Sequence, residues 1–452
     1  MKHLFLFTNP TSGGNQASIF TEFAANEIVY QHPENCHLHI YNLLYGEPGN
    51  HQGFLKLKSV IDNIKNESKH SVEDLESKYN DDDNDNNNLD NIINAIQNPK
   101  EQNDQVNSKN KNYPKKLSHN DIPVYVIIAG GDGTLNWVLK ESEAHGIDTS
   151  VFAISIIPFG TGNDFANAFG WKNPMGILKP KDTFSILSKV VNKVLKSEVL
   201  YHDYWNIEVI LNEDGYFDKI NSKTRKKEIL IENNQNVKAL KFAMANYFSI
   251  GIDSRIGRGF ERQRKNNAIL NKMVYLFEGF KKSSFIRNTP INLLIDKMTT
   301  GNNFEDIVFT TNKKENAPLL KKSMNIIGVN IPSYSAGNDI WKYTSKLGFK
   351  LPKDCNDEHK KKSNDLKYSE QKIGDGALEF VTYRKGWDMA FEFTFKGRAY
   401  RVHQGKGPWK IDFKENASGV YFQVDGEFFR MTKPKYISIK HYKKINVLKS
   451  IS

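Results

Sequence analysis

The residues best suited to chemistry form one glycine-rich turn: Gly130, Gly131, Asp132, Gly133 and Thr134. The turn follows the apolar run Val124 to Ala129 and precedes apolar residues at helical spacing. Glycine lets the backbone approach a ligand closely, and free N–H groups at a helix start favour an anion such as phosphate. A carboxylate would repel that phosphate unless a cation lay between them or the carboxylate handled a proton. Asp132 therefore predicts metal binding or acid–base work.

Two further turns with similar chemistry follow other apolar runs. The first comes after Leu4 to Phe7 and consists of Asn9, Pro10, Thr11, Ser12, Gly13 and Gly14. The second is Pro158 to Asp164, in which Thr161 stands between two glycines. Amide and hydroxyl side chains beside glycine offer donors to phosphate oxygens. In an open α/β sheet, turns at the carboxyl ends of the strands meet in one crevice, where ligands bind.

The order strand, turn and helix occurs three times and predicts a doubly wound α/β nucleotide-binding domain over residues 1–204. Within it, residues 80–112 contain 12 asparagines and 6 aspartates, which is too polar a composition for a core. We therefore expect a disordered insertion at about residues 66–121. The two commonest ATP-binding designs are excluded, because the sequence has neither a G-x-x-x-x-G-K-[ST] loop nor the D-F-G and H-R-D motifs of protein kinases.

Strand-length apolar segments dominate the chain after residue 205, and Met389 to Phe395 is one of them. Their spacing favours a largely antiparallel, β-sandwich-like second domain over residues 205–452. Two charged stretches, Asn221 to Glu228 and Lys342 to Lys372, are typical of solvated loops. The expected fold class is therefore an α/β domain followed by a β domain.

Taken together, the three turns resemble the catalytic domain of the diacylglycerol kinase family of lipid kinases. Two motifs of the second domain, Asn246 to Asp253 and Asn330 to Tyr334, are similar to the accessory domain of eukaryotic-type members. The Gly-Gly-Asp-Gly core is shared with sphingosine, ceramide and NAD kinases, so it indicates only the superfamily. The two accessory motifs narrow the resemblance to the kinases that act on diacylglycerol. Larger members carry zinc-binding C1 modules, and Cys36 and Cys355 are too few to build them.

The resemblance implies roles for individual residues. The residues it places along the ATP phosphates are Asn9, Pro10, Thr11, Ser12, Gly13, Gly130, Gly131, Asp132, Gly133, Thr134 and Thr161, with Asp132 near the nucleotide-bound magnesium. Asp375 matches an aspartate that holds a structural magnesium in bacterial relatives, although Asp-Gly before a strand is also an ordinary hairpin signal. Asp425 and Glu427 match the segment thought to supply the general base. Glu427 is preferred, Asp425 is second and Asp132 is third. The last segment, about residues 436–448, would return to the first domain.

The resemblance also implies an ATP- and Mg²⁺-dependent kinase that converts diacylglycerol to phosphatidic acid at a membrane surface. Two alternatives stay open: a kinase for ceramide, a sphingoid base or monoacylglycerol, and an inactive scaffold that binds lipid or nucleotide. The net charge of +11 agrees with binding to anionic lipids, and a basic stretch follows Asp253. For its arginines, phosphate or anionic lipid is one expected contact and scattered solvation is an equal alternative; they are Arg255, Arg258, Arg262 and Arg264. No nucleic-acid motif accompanies this charge, so nucleic acid is not expected as a partner.

Composition also bears on location. Two cysteines cannot form a disulfide framework, and no apolar run approaches the ~18 residues that a spanning helix needs. The first residues show no signal-peptide pattern. We therefore expect a cytoplasmic protein that attaches peripherally to membranes.

Overall fold

The computed structural model describes residues 1–22, 25–32, 34–79, 122–174, 182–263, 288–392 and 394–451, with the backbone alone for residues 68–79. The helices in these residues are α1 Gln52–Tyr79, α2 Asp132–Ala144, α3 Asp164–Ala168, α4 Thr183–Leu195, α5 Ile252–Gln263, α6 Asp357–Tyr368 and α7 Gly386–Phe391. A single irregular helical turn covers Ser12–Asn15, and short 3-10 turns cover Gln16–Phe20, Thr149–Val151 and Ile291–Leu293. None of the described helices is both long and apolar enough to cross a membrane.

The strands form two large sheets and one small hairpin. In chain order they are β1 Lys2–Thr8, β2 Glu27–Tyr30, β3 Cys36–Asn42, β4 Val124–Gly130, β5 Phe152–Pro158, β6 Glu198–Leu211, β7 Phe217–Ile220, β8 Lys227–Ile229, β9 Ile231–Glu232, β10 Gln235–Asn236, β11 Ala239–Met244, β12 Tyr247–Gly251, β13 Ile295–Thr300, β14 Asp306–Thr310, β15 Leu319–Leu320, β16 Asn325–Val329, β17 Phe349–Lys350, β18 Leu378–Thr382, β19 Tyr400–Gly405, β20 Trp409–Phe413, β21 Val420–Val424, β22 Glu427–Met431 and β23 Pro434–Lys449.

The first domain is built on parallel strands in the order β3-β1-β4-β5, with β2 antiparallel at the edge. Both β4 and β5 are buried along their whole length. Strands of a parallel sheet are buried on both faces, which explains why they read as continuous apolar runs in the sequence. Because the strands are parallel, the turns that follow β1, β4 and β5 lie at one edge of the sheet. The predicted doubly wound α/β domain is confirmed.

Two long strands, β6 and β23, join the first domain to the second. They pair antiparallel from Glu198 opposite Lys449 to Leu211 opposite Pro434. β23 also lies parallel to β5, with Asn446 opposite Ala153, and antiparallel to β20. The segment for which we expect a return to the first domain is therefore a strand of its sheet, and one mixed sheet continues through both domains.

A second, antiparallel sheet packs on the accessory part of the mixed sheet. Its order is β19-β18-β16-β12-β21-β22-β7-β8. The shared core contains Trp205 and Trp409 from the mixed sheet and Phe248, Phe380 and Phe422 from the antiparallel sheet. Apolar side chains from two facing sheets are what define a sandwich, so the predicted class of the second domain is confirmed.

Two local predictions in this domain are wrong. The sequence predicts a strand at Met389–Phe395, but α7 covers the first part of that segment. Trp387 stacks on Phe391 one helical turn later, at 5.7 Å between ring centroids, and this spacing suits a helix. The charged stretch expected to be a loop contains α6, because the Asn356 side chain caps the helix by accepting an amide at 2.9 Å.

The predicted insertion at residues 66–121 begins too early. Helix α1 continues to Tyr79, so residues 66–79 are helical. These residues are rich in glutamate and lysine, which favour helices, and the Asn- and Asp-rich composition begins only at Asn80. Residues 80–121 lie outside the described residues.

His202 on β6 makes the stability of the fold depend on pH. Its side chain is fully buried beside Phe165 and Phe169, and burial lowers its pKa to about 4. An unfolded histidine titrates near pH 6.5, so between about pH 6.5 and 4 the unfolded chain binds a proton that the folded chain does not. The stability that comes from a neutral His202 is therefore present above about pH 6.5 and lost towards pH 4.

We expect the melting temperature to fall from pH 7.5 to pH 5, and to fall less in His202→Gln, which keeps an amide donor but does not titrate. Thermal denaturation at several pH values measures this difference. The same substitution at exposed His32 is the matched control. Equal slopes in wild type and His202→Gln would show that this histidine does not contribute.

Candidate active site

The three glycine-rich turns touch one another at the carboxyl ends of β1, β4 and β5. The Phe159 amide donates to the Gly130 carbonyl at 2.9 Å, which joins the second and third turns. The Asn9 side-chain amide donates to the Thr134 hydroxyl at 3.4 Å, which joins the first turn to the second. The three turns therefore form one wall, as the strand order predicts.

Glycine is required where these turns approach each other and where the backbone turns back. A Cβ on Gly131 would lie 3.1 Å from the Cα of Gly160. Gly13 and Gly14 have φ of 66° and 69°, in the left-handed region that favours glycine. The helix α2 starts here with no side chain bonded to its first amides, so these N–H groups can bind an anion.

Asp132, the first residue of α2, caps the neighbouring helix α3. Its carboxylate accepts the amide of Asp164 at 3.1 Å and the amide of Phe165 at 3.0 Å. Burial in the cleft wall, reinforced by the charge of Asp164, raises the pKa of Asp132 to about 7. A carboxylate offers about four acceptor positions, and the two amides use two of them. Asp132 can therefore still bind a cation or a proton.

Asp164 holds the accessory domain against the first domain. Its buried carboxylate accepts the Ser333 hydroxyl at 2.6 Å and the Tyr247 hydroxyl at 3.0 Å. The amides of Ala336 and Gly337 donate to it at 3.0 and 3.1 Å. A buried charge is tolerated when its hydrogen bonds are complete, and here the donors come entirely from the other domain.

Asp425 occupies the turn between β21 and β22, where it and Gly426 have φ of 46° and 84°. Its carboxylate accepts the three successive amides of residues 245–247 at 2.7, 2.9 and 3.0 Å. Asn136 of α2 donates to it from the first domain at 2.8 Å. Burial raises the pKa of Asp425, and these four donors oppose the rise. The carboxylate is saturated, so its geometry suits an anchor more than a base.

Glu427 follows this turn and pairs with Val424 in the hairpin. Its side chain is exposed in the cleft. It has no hydrogen-bond or ion-pair partner within the described part of the chain. Because Asp425 anchors the turn, it also fixes where Glu427 enters the cleft. Among the three candidates for the base, only Glu427 has an uncommitted carboxylate.

A cleft of about 1450 Å³ lies between the domains at this edge. The candidate residues that line it are Asn9, Thr11, Ser12, Gly13, Gly131, Asp132, Gly133, Thr134, Thr161, Asp425 and Glu427. Pro10 and Gly130 belong to the turns but not to the wall of the cleft. A Cβ on Gly130 would lie 2.5 Å from the Thr134 hydroxyl, so this glycine makes room for the turn itself.

Asp375 lies away from the cleft, beside the β6–β23 pair. Its carboxylate accepts the Ala377 amide at 2.9 Å. The intervening Gly376 amide donates to Asp203 at 2.7 Å, and His441 lies 2.8 Å from the same carboxylate. Burial, with a smaller contribution from the charge of Asp203, raises the pKa of Asp375. Its role as a magnesium ligand stays a prediction.

Three further residues contribute to the site, although the sequence assigns none of them a role there. Asn136 bonds Asp425 and also accepts the Tyr204 hydroxyl at 3.2 Å. Asn246 lines the cleft, and its side-chain oxygen is buried without a partner among the described residues. Trp137 packs partly against the core of the first domain and lines the cleft as well. The position of Asn136 and Trp137 just after the glycine-rich turn is the signal that could have indicated them.

The described arginines of the basic stretch after Asp253 differ in their surroundings. Arg258 is buried on α5, where it forms an ion pair with Asp218 and donates to the Asp218 carbonyl at 2.7 Å. It is therefore unavailable to phosphate, lipid or solvent, and neither alternative from the sequence holds for this arginine. Arg255 lies over the ring of Tyr421, at 5.6 Å from its centroid. Arg264 lies outside the described residues.

Two family models match the chain at the two domains seen in the structure. The diacylglycerol kinase catalytic domain matches residues 81–194, and the diacylglycerol kinase accessory domain matches residues 243–428. The chain belongs to the diacylglycerol kinase family. The matched ranges include Asp132, Thr161, Asp375, Asp425 and Glu427, whereas the turn that begins at Asn9 precedes them.

Individual family members are similar at modest identity. Diacylglycerol kinase 4 of Arabidopsis thaliana is 25% identical over 335 residues, which is 67% of this chain and 62% of that protein. Probable diacylglycerol kinase 3 of Caenorhabditis elegans is 24% identical over 72% of this chain and 37% of its own length. Diacylglycerol kinase theta of Homo sapiens is 25% identical over 50% of this chain and 21% of its own length. The match thus spans about three fifths of the plant relative and less of the others.

Removal of the Asp164 carboxylate should lower the stability of this diacylglycerol kinase family member, because it breaks the contact between the two domains. Asp164→Ala leaves four donors without an acceptor, and we expect it to lower the free energy of unfolding by about 3 kcal/mol or more. Ser333→Ala and Tyr247→Phe each remove one donor and should cost about 1 kcal/mol. Urea denaturation measures all three.

Asp214→Ala, which removes an exposed carboxylate, is the control for loss of charge. Wild-type stability in Asp164→Ala would mean that the domains are held together by other contacts.

Proposed function

We propose that the chain is an ATP- and Mg²⁺-dependent lipid kinase that transfers the γ-phosphoryl group of ATP to the primary hydroxyl of diacylglycerol, giving phosphatidic acid. One observation carries this proposal: the phosphate-type turns of the first domain and the free carboxylate of the accessory domain face the same cleft. Phosphoryl transfer needs such positioning and screening of charge more than it needs covalent chemistry by the protein. Membership of the diacylglycerol kinase family supports the same reaction.

ATP would bind with its phosphates along the three turns. The free amides at the start of α2 and the backbone of Gly13 and Gly14 would donate to the phosphate oxygens. Leu43, Leu44 and Trp137 line the cleft as well and offer an apolar surface to an aromatic base.

Magnesium fits the donor set at Asp132. Two acceptor positions of this carboxylate are unused by the α3 amides, it borders the cleft, and oxygen is the ligand that Mg²⁺ prefers. A bound Mg²⁺ would neutralise charge on the β- and γ-phosphates. We keep Asp375 as the proposed ligand of a second, structural magnesium outside the cleft.

Glu427 would act as the general base. Its carboxylate would take the proton of the diacylglycerol hydroxyl as the oxygen attacks the γ-phosphorus. Asp425, whose carboxylate is saturated with hydrogen bonds, would hold the turn that positions Glu427. The unpartnered side-chain oxygen of Asn246 would accept a hydrogen bond from substrate or ordered water. Asp132 would stay with the metal.

Phosphate transfer from labelled ATP to lipids in mixed micelles tests the function. We expect Mg²⁺-dependent labelling of diacylglycerol, and much less labelling of ceramide, sphingosine or monoacylglycerol. A different labelled lipid would keep the reaction and change the substrate. No labelled lipid at all, from folded protein with Mg²⁺ present, would favour the binding scaffold.

Single variants separate the proposed roles. Glu427→Gln should lower kcat by about 10²- to 10⁴-fold with little change in the KM for ATP, because a base acts only in the chemical step. Asp132→Asn should abolish turnover and weaken the dependence on Mg²⁺. Glu415→Gln removes another carboxylate outside the cleft and is the control. Wild-type kcat in Glu427→Gln would exclude it as the base.

A group of exposed aromatic rings offers a place for the membrane surface. Phe391, Phe395 and Tyr343 are 43%, 58% and 46% exposed, and we call these three residues the aromatic patch. Arg398 lies 5.6 and 5.5 Å from the centroids of Phe391 and Phe395. Lys396 lies 4.6 Å from the Tyr343 centroid. Aromatic rings with basic neighbours suit the interface of an anionic bilayer. We therefore propose that the patch binds the lipid surface while the kinase acts from the cytoplasm.

Replacement of two rings should reduce membrane binding without affecting the cleft. We expect Phe391→Ser with Phe395→Ser to weaken sedimentation with phosphatidylcholine vesicles containing phosphatidylserine by at least about tenfold, because each ring buries apolar area worth about 1.5 kcal/mol or more. Ile229→Ser with Ile231→Ser, on exposed strands elsewhere, is the matched control. Unchanged sedimentation of the phenylalanine variant would place the membrane contact on another surface.

A further inference from the structure

Three histidines and a glutamate share one face of the first sheet, at its outer edge. His3 on β1 lies directly opposite His37 on β3, and His39 lies two residues further along β3. Glu27 on β2 lies opposite His39. Residues opposite each other or two apart in strands point to the same face. The sheet register therefore gathers the four side chains on that face.

The distances among the histidines match those of metal ligands. One ring nitrogen from each of them lies within 4.8 Å of the others. The Nδ1 of His3 is 3.3 Å from the Nε2 of His39. Two nitrogens bound tetrahedrally to one zinc ion, each at about 2.05 Å, are about 3.3 Å apart. This pair therefore already has ligand spacing, and a nitrogen of His37 lies within 4.8 Å of both partners.

Glu27 occupies the position of a carboxylate that orients metal-bound imidazoles. Its Oε1 lies 3.1 Å from the Nδ1 of His37 and 3.7 Å from the Nδ1 of His39. Such a carboxylate fixes the tautomer of a ligating histidine and increases the basicity of its other nitrogen. For His39 that other nitrogen is the Nε2 that faces His3.

The surroundings fix one ligand and leave the others accessible. His39 is 2% exposed and stacks on Phe5 at 4.6 Å between ring centroids. The side chains of His37 and Glu27 are partly exposed, so an ion can enter from solvent.

We propose that His3, His37 and His39 bind one borderline divalent transition-metal ion, with Zn²⁺ the best fit, and that Glu27 orients the ligands. Imidazole ligands favour Zn²⁺, Cu²⁺ or Ni²⁺ over Mg²⁺, which prefers oxygen. The site lies at the amino end of β1, whereas the cleft lies at its carboxyl end beside Asn9. A bound ion would cross-link β1 and β3 and stabilise the edge of the sheet.

Calorimetric titration of the untagged, metal-free 452-residue chain tests the proposal. We expect one equivalent of Zn²⁺ to bind with submicromolar Kd and to raise the melting temperature, and Mg²⁺ to do neither. Co²⁺ should give the visible absorption of a tetrahedral site. His37→Gln should lower the Zn²⁺ affinity more than about tenfold, and Glu27→Gln should lower it about tenfold.

His32→Gln is the matched control, because this exposed histidine is near in sequence but outside the cluster, and it should bind as wild type does. His3→Gln gives a second test on another strand, and circular dichroism checks that each variant is folded. Failure of the wild-type chain to bind Zn²⁺ stoichiometrically would overturn the proposal. So would wild-type affinity in both folded variants, His37→Gln and His3→Gln.

Discussion

A carboxylate buried between two domains must find its hydrogen-bond donors there, because water cannot reach it. Asp164 extends from the first domain and receives donors only from accessory segments. Asp425 extends from the accessory domain, and one of its donors is Asn136 of the first domain. These two reciprocal contacts fix the width of the cleft, so the positions of the other groups in the cleft depend on them. Substitution of either carboxylate would therefore shift the groups that line the cleft, even though neither carboxylate is proposed to contact a substrate.

The same contacts divide the acidic residues of the cleft into two kinds. Asp164 and Asp425 are saturated with donors, which leaves them unable to serve a ligand without losing structure. Asp132 is half engaged and has a raised pKa, and Glu427 is unengaged. Phosphoryl transfer gains from groups held in place before the substrate arrives. Here the saturated carboxylates supply the rigidity, and the unsaturated ones remain available for the proposed metal ion and the proposed proton transfer.

Sheet continuity explains how parts so distant in the sequence meet. β6 and β23 run from one domain into the other, so the accessory hairpin that carries Asp425 is tied to the strands that carry the glycine-rich turns. The edge far from the cleft, where the histidines lie, belongs to the same sheet. The proposed zinc site and the proposed kinase site therefore lie at opposite ends of β1 and can be tested separately.

The sequence by itself determines the elements whose signals are local. Apolar runs before glycine-rich turns identify β1, β4 and β5, because strands buried on both faces consist mainly of apolar residues. Parallel pairing then implies that the turns after these strands meet, and the motif resemblance indicates the family. Local signals also fail where two of them compete. At α6 the charged composition predicts a loop, but the capping asparagine Asn356 favours the helix that is observed.

Only the tertiary structure decides which of several similar residues is free to act. Asp425 and Glu427 are two residues apart and chemically alike, yet one is saturated by amides and the other is exposed. Arg258 is buried against Asp218 although its sequence neighbourhood resembles a basic surface. His3 and His37 are far apart in the chain and meet only through strand register. In each case the outcome depends on partners contributed by distant segments, and a linear sequence does not show those partners.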